Sequence, residues 1–259
     1  MTEAALVGLG AALSLGLVLW MLSLWLKDAS IADVFWGPLF VLISGTTYAL
    51  GDGSGPRRTL VLILVTLWAL RLASHLARRN AGKGEDSRYR AMRERHGRKF
   101  WLLSLPVVFL FQAALAWLVA APVVVAVQQV GPPALGWVDL AATLVFAVGL
   151  CVETLADRQL TAFRKDPQNR TRVLDGGLFR YSRHPNYFGE FVLWWGLGLF
   201  GVAAGSVASL LGPALLTLLL LRVSGVSLLE STIVDRRPDY LKYKSTTNAF
   251  FPGPPRRAP

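Results

Sequence analysis

Long runs of apolar residues constrain the fold of this chain more than any other feature. Each approaches or exceeds the roughly 20 apolar residues that cross the hydrocarbon core of a bilayer. Only helices and closed barrels satisfy their backbone inside lipid, and these runs are too long and too uniformly apolar for barrel strands. We therefore predict an all-α, polytopic membrane protein with seven transmembrane helices, at about 4–26, 31–50, 58–77, 101–127, 134–156, 187–204 and 207–229.

The basic residues predict the orientation of these helices. Of the 27 Lys and Arg, nine lie in 78–99, seven in 158–183 and six in 236–257. These segments follow the third, fifth and seventh predicted helices, so they share one side of the membrane. The positive-inside rule makes that side cytoplasmic, with the N-terminus outside and the C-terminus in the cytoplasm.

Several classes of site are absent from the sequence. The single cysteine, Cys151, excludes an internal disulfide and a cysteine-only metal site. There is no Walker A sequence, and the basic segments alternate with apolar runs instead of forming a nucleic-acid motif. We predict no metal site and no nucleic-acid partner. Because the start "MTEAALVGLG" lacks a basic n-region, we expect the first apolar run to be a retained helix.

Ionisable residues inside the apolar runs are candidates for function, because charge at membrane depth is costly. Asp33 lies at the start of the second run, and His75 lies four residues after Arg71 in the third. We interpret Asp33 and His75 as functional, since both lie near the end where the basic segments converge. For Glu153 and Arg222, a functional role and a structural ion pair both remain open.

The segment 157–190 is too long for a simple connection and carries six arginines whose planar groups suit phosphate oxygens. Gly176 and Gly177 permit a tight turn. Pro185 fits the first position of the sixth helix, where free amides and the helix dipole favour an anion. A purely electrostatic membrane-surface loop would explain the arginines but not Asn186 and Glu190.

Three stretches carry a resemblance to a known family. "FRKDPQNRTRVLDGGLFRYSRHPNYFGEFVLWWG", "DVFWGPLF" and the tail "DRRPDYLKYKSTTNAFFPGPP" resemble bacterial membrane proteins related to steroid 5-alpha-reductases. A similar helix start occurs in sterol reductases and isoprenylcysteine methyltransferases. The resemblance implies a single domain over 1–259, with substrate-side helices mainly in 1–130 and the cofactor-binding part mainly in 131–259.

By this resemblance the protein binds NADPH on the cytoplasmic side of a bacterial inner membrane. It would reduce the C=C bond of a lipophilic enone, such as a 3-oxo-delta4 steroid. No obligate protein partner is implied. The positions that match the cofactor shell of the family are Arg79, Asn80, Asp157, Arg164, Arg172, Tyr181, His184, Asn186, Tyr187, Glu190, Arg222 and Tyr240.

Reduction of an enone leaves negative charge on the carbonyl oxygen, so a positioned donor is required there. The family uses an acidic residue on the second helix and a tyrosine on the third. Asp33 matches the acid, but 58–77 contains no tyrosine. We predict His75 as the substitute donor, with Tyr48 and Tyr187 as alternatives.

Two other functions compete with this reading. One is an S-adenosylmethionine-dependent methyltransferase that acts on a lipid or a prenylated thiol. The other is a non-enzymatic lipid-binding or transport protein. The density of arginines favours NADPH, because its phosphates need counter-charges that a sulfonium cofactor does not.

Overall fold

The computed structural model describes residues 3–130, 134–223 and 239–256. The described residues are 80% helical and include no strand. Among them, four helices are long and apolar enough to cross a membrane: Glu3–Leu26, Pro56–Asn80, Ser87–Val119 and Trp137–Lys165. The prediction of an all-α membrane-type protein is confirmed, whereas seven spans and their orientation stay predictions.

The chain divides into two compact units. The first comprises Met1–Asp139 with Phe200–Gly212, and the second comprises Leu140–Leu199 with Pro213–Pro259.

The helices of the N-terminal half follow one another closely. They are α1 Glu3–Leu26, α2 Ile31–Val34, α3 Trp36–Leu50, α4 Pro56–Asn80, α5 Ser87–His96, α6 Phe100–Ser104, α7 Phe111–Val119 and α8 Ala121–Gln128. A 3₁₀ turn, Gly97–Lys99, joins α5 to α6, and a π-helical turn, Leu105–Leu110, joins α6 to α7.

The C-terminal half has fewer and longer helices. They are α9 Trp137–Lys165, α10 Pro185–Ala203, α11 Leu211–Leu218 and α12 Tyr240–Thr246. Short 3₁₀ turns occupy Pro167–Asn169, Gly177–Arg180 and Val207–Leu210, and a π-helical turn covers Leu219–Val223.

The predicted apolar segments coincide with helices, but two boundaries were wrong. The fourth run was expected to begin at 101, yet helix begins at Ser87, because Asp86 caps α5 by accepting a hydrogen bond from the Arg88 amide. The fifth was expected to end at 156, yet α9 continues to Lys165. The last part of the seventh, 224–229, lies outside the described residues.

The core of the first unit is aromatic and tightly packed. Phe40 and Trp68 meet edge to face with ring centroids 5.4 Å apart, and both side chains are fully buried. A Cβ on Gly37 would lie 2.8 Å from the Ala69 carbonyl oxygen, so α3 and α4 touch backbone to backbone. The outward leucines are exposed, as lipid-facing side chains of a membrane helix are.

In the second unit, α9 and α10 pack through three glycines. A Cβ on Gly149 would lie 2.3 Å from the Leu193 amide nitrogen, and one on Gly189 would lie 2.4 Å from that of Glu153. A Cβ on Gly196 would lie 2.7 Å from the Phe146 amide nitrogen. The small-residue contacts let the two helices approach closely, which is how helices associate in lipid.

We expect Gly149→Ala to lower the stability of the protein by about 1–3 kcal/mol, because the added methyl group overlaps the α10 backbone. Thermal unfolding in detergent measures the change. Gly45→Ala is the matched control: no atom lies within 4 Å of its Cβ position, and α3 should gain up to about 1 kcal/mol of helix propensity. Equal melting temperatures for the two variants would contradict the close packing of α9 and α10.

Candidate functional site

A polar cluster lies where α9 passes the first turns of α10. The buried Asp157 accepts a hydrogen bond from the Asn186 side-chain amide at 3.3 Å. Glu153, one helical turn earlier and also buried, lies against Gly189. Two of the predicted cofactor positions, Asp157 on α9 and Asn186 on α10, therefore come together.

Residues 177–184, which lead into α10, have the local structure that the sequence predicts. Gly177 has a φ of +59°, and its neighbour Leu178 donates its amide to Gln159 Oε1 at 3.0 Å. Helix α10 begins at Pro185. The buried His184 lies parallel to the Tyr187 ring, with centroids 5.6 Å apart. The predicted glycine turn and the helix start at Pro185 are confirmed, while their role in binding stays a proposal.

The C-terminal segment, residues 239–256, forms hydrogen bonds with the residues that lead into α10. The Tyr243 hydroxyl donates to the Phe179 carbonyl at 2.5 Å, and the Ser182 hydroxyl donates to the Phe250 carbonyl at 2.8 Å. The Arg183 guanidinium donates to the Thr247 carbonyl at 2.6 Å, a role the sequence did not reveal. Backbone and side-chain hydrogen bonds thus hold residues 177–184 in one conformation.

The arginines of the same segment are exposed. Arg158, Arg164, Arg170, Arg172 and Arg180 all present their side chains to solvent. Planar guanidinium groups with access to solvent fit the phosphates of a dinucleotide. The donor set of this segment therefore suits NADPH.

The remaining predicted cofactor positions lie in different surroundings. Tyr181 is about half exposed and Arg222 is exposed at the end of the π-helical turn. Tyr240 is buried, with its ring 5.8 Å from that of Tyr243. Tyr240 therefore packs within the C-terminal segment that contacts residues 177–184. Tyr181 and Arg222 lie at the surface.

The first unit contains a second polar cluster around Asp33. The Tyr89 hydroxyl donates to Asp33 Oδ1 at 2.7 Å, and Arg88 donates to Oδ2 at 2.5 Å. Gln112 Nε2 donates to the Tyr89 oxygen at 3.2 Å, and Tyr89 is buried. The carboxylate on α2 is thus paired with a phenol and a guanidinium from α5.

The sequence alone does not single out Tyr89, because it lies beyond the third apolar run, where the resemblance places the tyrosine of the family. The signal was present, since Tyr89 is an aromatic residue inside the otherwise basic "SRYRAMRERH". His75, the predicted donor, is half-buried on α4. Tyr48 lies near the other end of α3, where its ring contacts the Arg58 guanidinium at 3.9 Å.

The connection from α4 to α5 forms an open pocket of about 210 Å³, lined by Asn80, Lys83, Gly84, Glu85, Asp86 and Ser87. Asn80 Oδ1 accepts a hydrogen bond from Arg79, while its Nδ2 is buried without a hydrogen-bond partner. An unsatisfied buried amide is costly, so Asn80 is suited to donate to a ligand. The cofactor role that the family resemblance implies for Arg79 and Asn80 stays a prediction.

Two carboxylates of this connection are held ionised. Burial raises the pKa of Glu85, but hydrogen bonds from Arg93 and from the Ala29 amide outweigh it, so the pKa lies below its ordinary value. The pKa of Asp86 is lowered in the same way, with burial opposing and Arg88 prevailing. Glu85 thereby ties α5 to the chain that leads into α2.

Because the folded pKa of Glu85 is depressed, its contribution to stability is complete above the ordinary value of 4.5 and is lost as pH falls through the folded value. We expect Glu85→Gln to lower the melting temperature at pH 7 and to flatten its decline below pH 5, roughly where carboxylates protonate. Glu94→Gln, at an exposed position of α5, is the control. A Glu94→Gln effect as large as that of Glu85→Gln would contradict this role.

Comparison with known proteins identifies a family model and a relative that match most of this chain. A family model described as "Protein of unknown function (DUF1295)" matches residues 19–247. An uncharacterized protein of Schizosaccharomyces pombe is 29% identical over 276 aligned positions, which cover 97% of this chain and 80% of the relative. No solved structure matches the chain.

Two further relatives match over short stretches. A steroid 5-alpha-reductase of Gossypium hirsutum is 40% identical over 60 residues, or 23% of each chain. A probable O-methyltransferase of Ustilaginoidea virens is 41% identical over 51 residues, which cover 20% of this chain and 18% of the relative. The family match covers most of the sequence, and this chain belongs to the DUF1295 family of the steroid 5-alpha-reductase-like superfamily.

Proposed function

We propose that this protein is an NADPH-dependent reductase of a C=C bond conjugated to a carbonyl in a lipophilic substrate, such as a 3-oxo-delta4 steroid. The observation that carries the proposal is the hydrogen bond from the Tyr89 hydroxyl, on a buried side chain, to the Asp33 carboxylate. The relation of the family to steroid 5-alpha-reductases supports an oxidoreductase.

In this proposal, Tyr89 replaces His75 as the donor to the substrate carbonyl. NADPH, when bound, supplies a hydride for the beta-carbon of the enone. As negative charge develops on the carbonyl oxygen, that oxygen competes with Asp33 for the Tyr89 proton. Arg88 stays on the other Asp33 oxygen and compensates its charge, and Gln112 makes the hydroxyl a better donor. The alpha-carbon takes its proton from solvent.

The second unit supplies the proposed cofactor contacts. Arg164 and Arg172 would bind the phosphates, and Asp157, Asn186 and Glu190 would bind other polar groups of the cofactor. The helix start at Pro185 favours an anion through its free amides. His184, Tyr187, Tyr181, Arg222 and Tyr240 complete the proposed shell by family resemblance. Arg79 and Asn80 are further proposed cofactor contacts, by the same family resemblance.

The proposed location is the bacterial cytoplasmic membrane, with the cofactor-binding segments on the cytoplasmic side. Four candidate spans support a membrane protein, and the positions of the basic segments support the side. The proposed partners are the lipid bilayer and a lipophilic small molecule.

A methyltransferase that uses S-adenosylmethionine is the second candidate. The 51-residue similarity to a probable O-methyltransferase favours it. The exposed arginines of 158–180 weigh against it, because the sulfonium cofactor carries no phosphate.

We expect NADPH, more than NADH, to raise the melting temperature of the detergent-purified protein, because the arginines pair with its extra phosphate. Arg164→Ala and Asn186→Ala should each reduce this shift without unfolding the protein. Lys165→Ala, which removes an exposed charge beside Arg164, is the control and should keep the shift. A shift with S-adenosylmethionine alone would favour the methyltransferase, and no shift with any of the three would refute both enzymes.

We expect Tyr89→Phe to reduce turnover of a 3-oxo-delta4 steroid by about 10²–10³-fold, since one oxyanion donor is typically worth that factor. The thermal shift with NADPH should not change. His75→Asn is the matched comparison and should keep most of the turnover. The measurement is NADPH oxidation in the presence of steroid. If His75→Asn abolishes turnover while Tyr89→Phe retains it, His75 is the donor and the assignment of Tyr89 is wrong.

A further inference from the structure

The stretch from the end of the α4–α5 connection through α5 to the 3₁₀ turn before α6 carries more positive charge than its own ion pairs compensate. Residues 83–99 contain seven Lys and Arg against three acidic residues. Arg93 is paired with Glu85, and Arg88 is paired with Asp86 and Asp33. Arg95, Arg98 and Lys99 are exposed and form no ion pair in the part of the chain that the structure describes.

These three cations adjoin an exposed apolar surface. Gly97, with a φ of +54°, turns the chain through the 3₁₀ segment Gly97–Lys99. Immediately afterwards Phe100 is buried, whereas Trp101 and Leu102 are 52% and 56% exposed. The surface therefore changes from cationic to apolar within three residues, as at the boundary between lipid headgroups and acyl chains.

The C-terminal end of α1 marks the same boundary. The Trp20 indole donates to the Trp101 carbonyl at 2.8 Å, and the two rings stack with centroids 6.3 Å apart. Trp25 is 79% exposed, and the exposed Lys27 follows two residues later. Tryptophan is enriched at the membrane–water interface, so α1 and α6 cross that interface side by side.

We propose that Arg95, Arg98 and Lys99, with Trp101 beside them, form a binding site for an acidic phospholipid. The three cations would contact the headgroup phosphate, and Trp101 and Leu102 would contact the acyl chains. Charge asymmetry across the membrane accounts for the sign of these residues, but not for three exposed cations without an ion pair to a described residue within the seven residues that lead into the exposed Trp101 and Leu102. The adjoining apolar surface selects a lipid over a soluble phosphate.

The test uses the full-length protein, purified in detergent and delipidated, with phosphatidylglycerol as the probe. Native mass spectrometry counts retained phosphatidylglycerol, and thermal unfolding compares mixed micelles that contain phosphatidylglycerol or phosphatidylcholine. The variant is Arg95→Gln/Arg98→Gln/Lys99→Gln. The control is Lys165→Gln/Lys242→Gln, which removes exposed charges elsewhere. Arg98→Lys, added to a background of Arg95→Gln and Lys99→Gln, tests whether charge alone restores binding.

We expect phosphatidylglycerol to stabilise the wild-type protein more than phosphatidylcholine does. We expect the triple variant to retain at most about half as much phosphatidylglycerol as the wild type does. The control should bind as the wild type does, and all variants should melt alike in phosphatidylcholine. Equal retention by the triple variant and the wild type would overturn the proposal. So would stabilisation by soluble glycerol phosphate equal to that by the lipid. Neither result depends on NADPH binding or turnover.

Discussion

The close backbone contact between α9 and α10 is the constraint on which the candidate cofactor site depends. In lipid, helices gain little from burying apolar side chains against each other, so association relies on van der Waals contact at small residues. Gly149 and Gly189 provide that contact. A Cβ on either glycine would lie within 2.4 Å of a backbone nitrogen of the other helix. Because Gly189 lies against Glu153, the next turn of α9 brings Asp157 within hydrogen-bonding distance of Asn186. The polar cluster is therefore a consequence of packing farther along the same two helices.

A different constraint shapes the first unit, where a carboxylate must be compensated at the edge of an apolar bundle. Asp33 receives Tyr89 on one oxygen and Arg88 on the other, while Asp86 shares the same arginine. An ionised group in such a place is costly unless it is paired and hydrogen-bonded. These contacts tie α5 to α2. They also fix the Tyr89 hydroxyl between the Asp33 carboxylate and the Gln112 side-chain amide.

The sequence predicted the apolar helices well because exposure to lipid forces long, uniform hydropathy. It predicted the local chemistry of 176–185 as well, since a positive φ at Gly177 and the start of a helix at Pro185 are properties of single residues. The sequence-based prediction failed for helical segments that are not apolar. The basic residues 87–96 and 157–165 are helical, yet their hydropathy indicates loop. The contact between Asp33 and Tyr89 joins residues far apart in the chain, and only tertiary packing reveals it.

These two missed extensions have the same physical consequence. Helix α9 continues without a break from apolar residues into Asp157 and the arginines beyond it, and α5 leads through one 3₁₀ turn into the apolar α6. A polar side chain on such an extension is fixed by the helix that also packs inside the membrane segment, whereas a side chain on a free loop is not. Residues that bind a water-soluble molecule can then be positioned with the precision of a rigid helix. The outward charges of the same extensions remain available to bind anions, whether cofactor phosphates near α9 or lipid headgroups near α5.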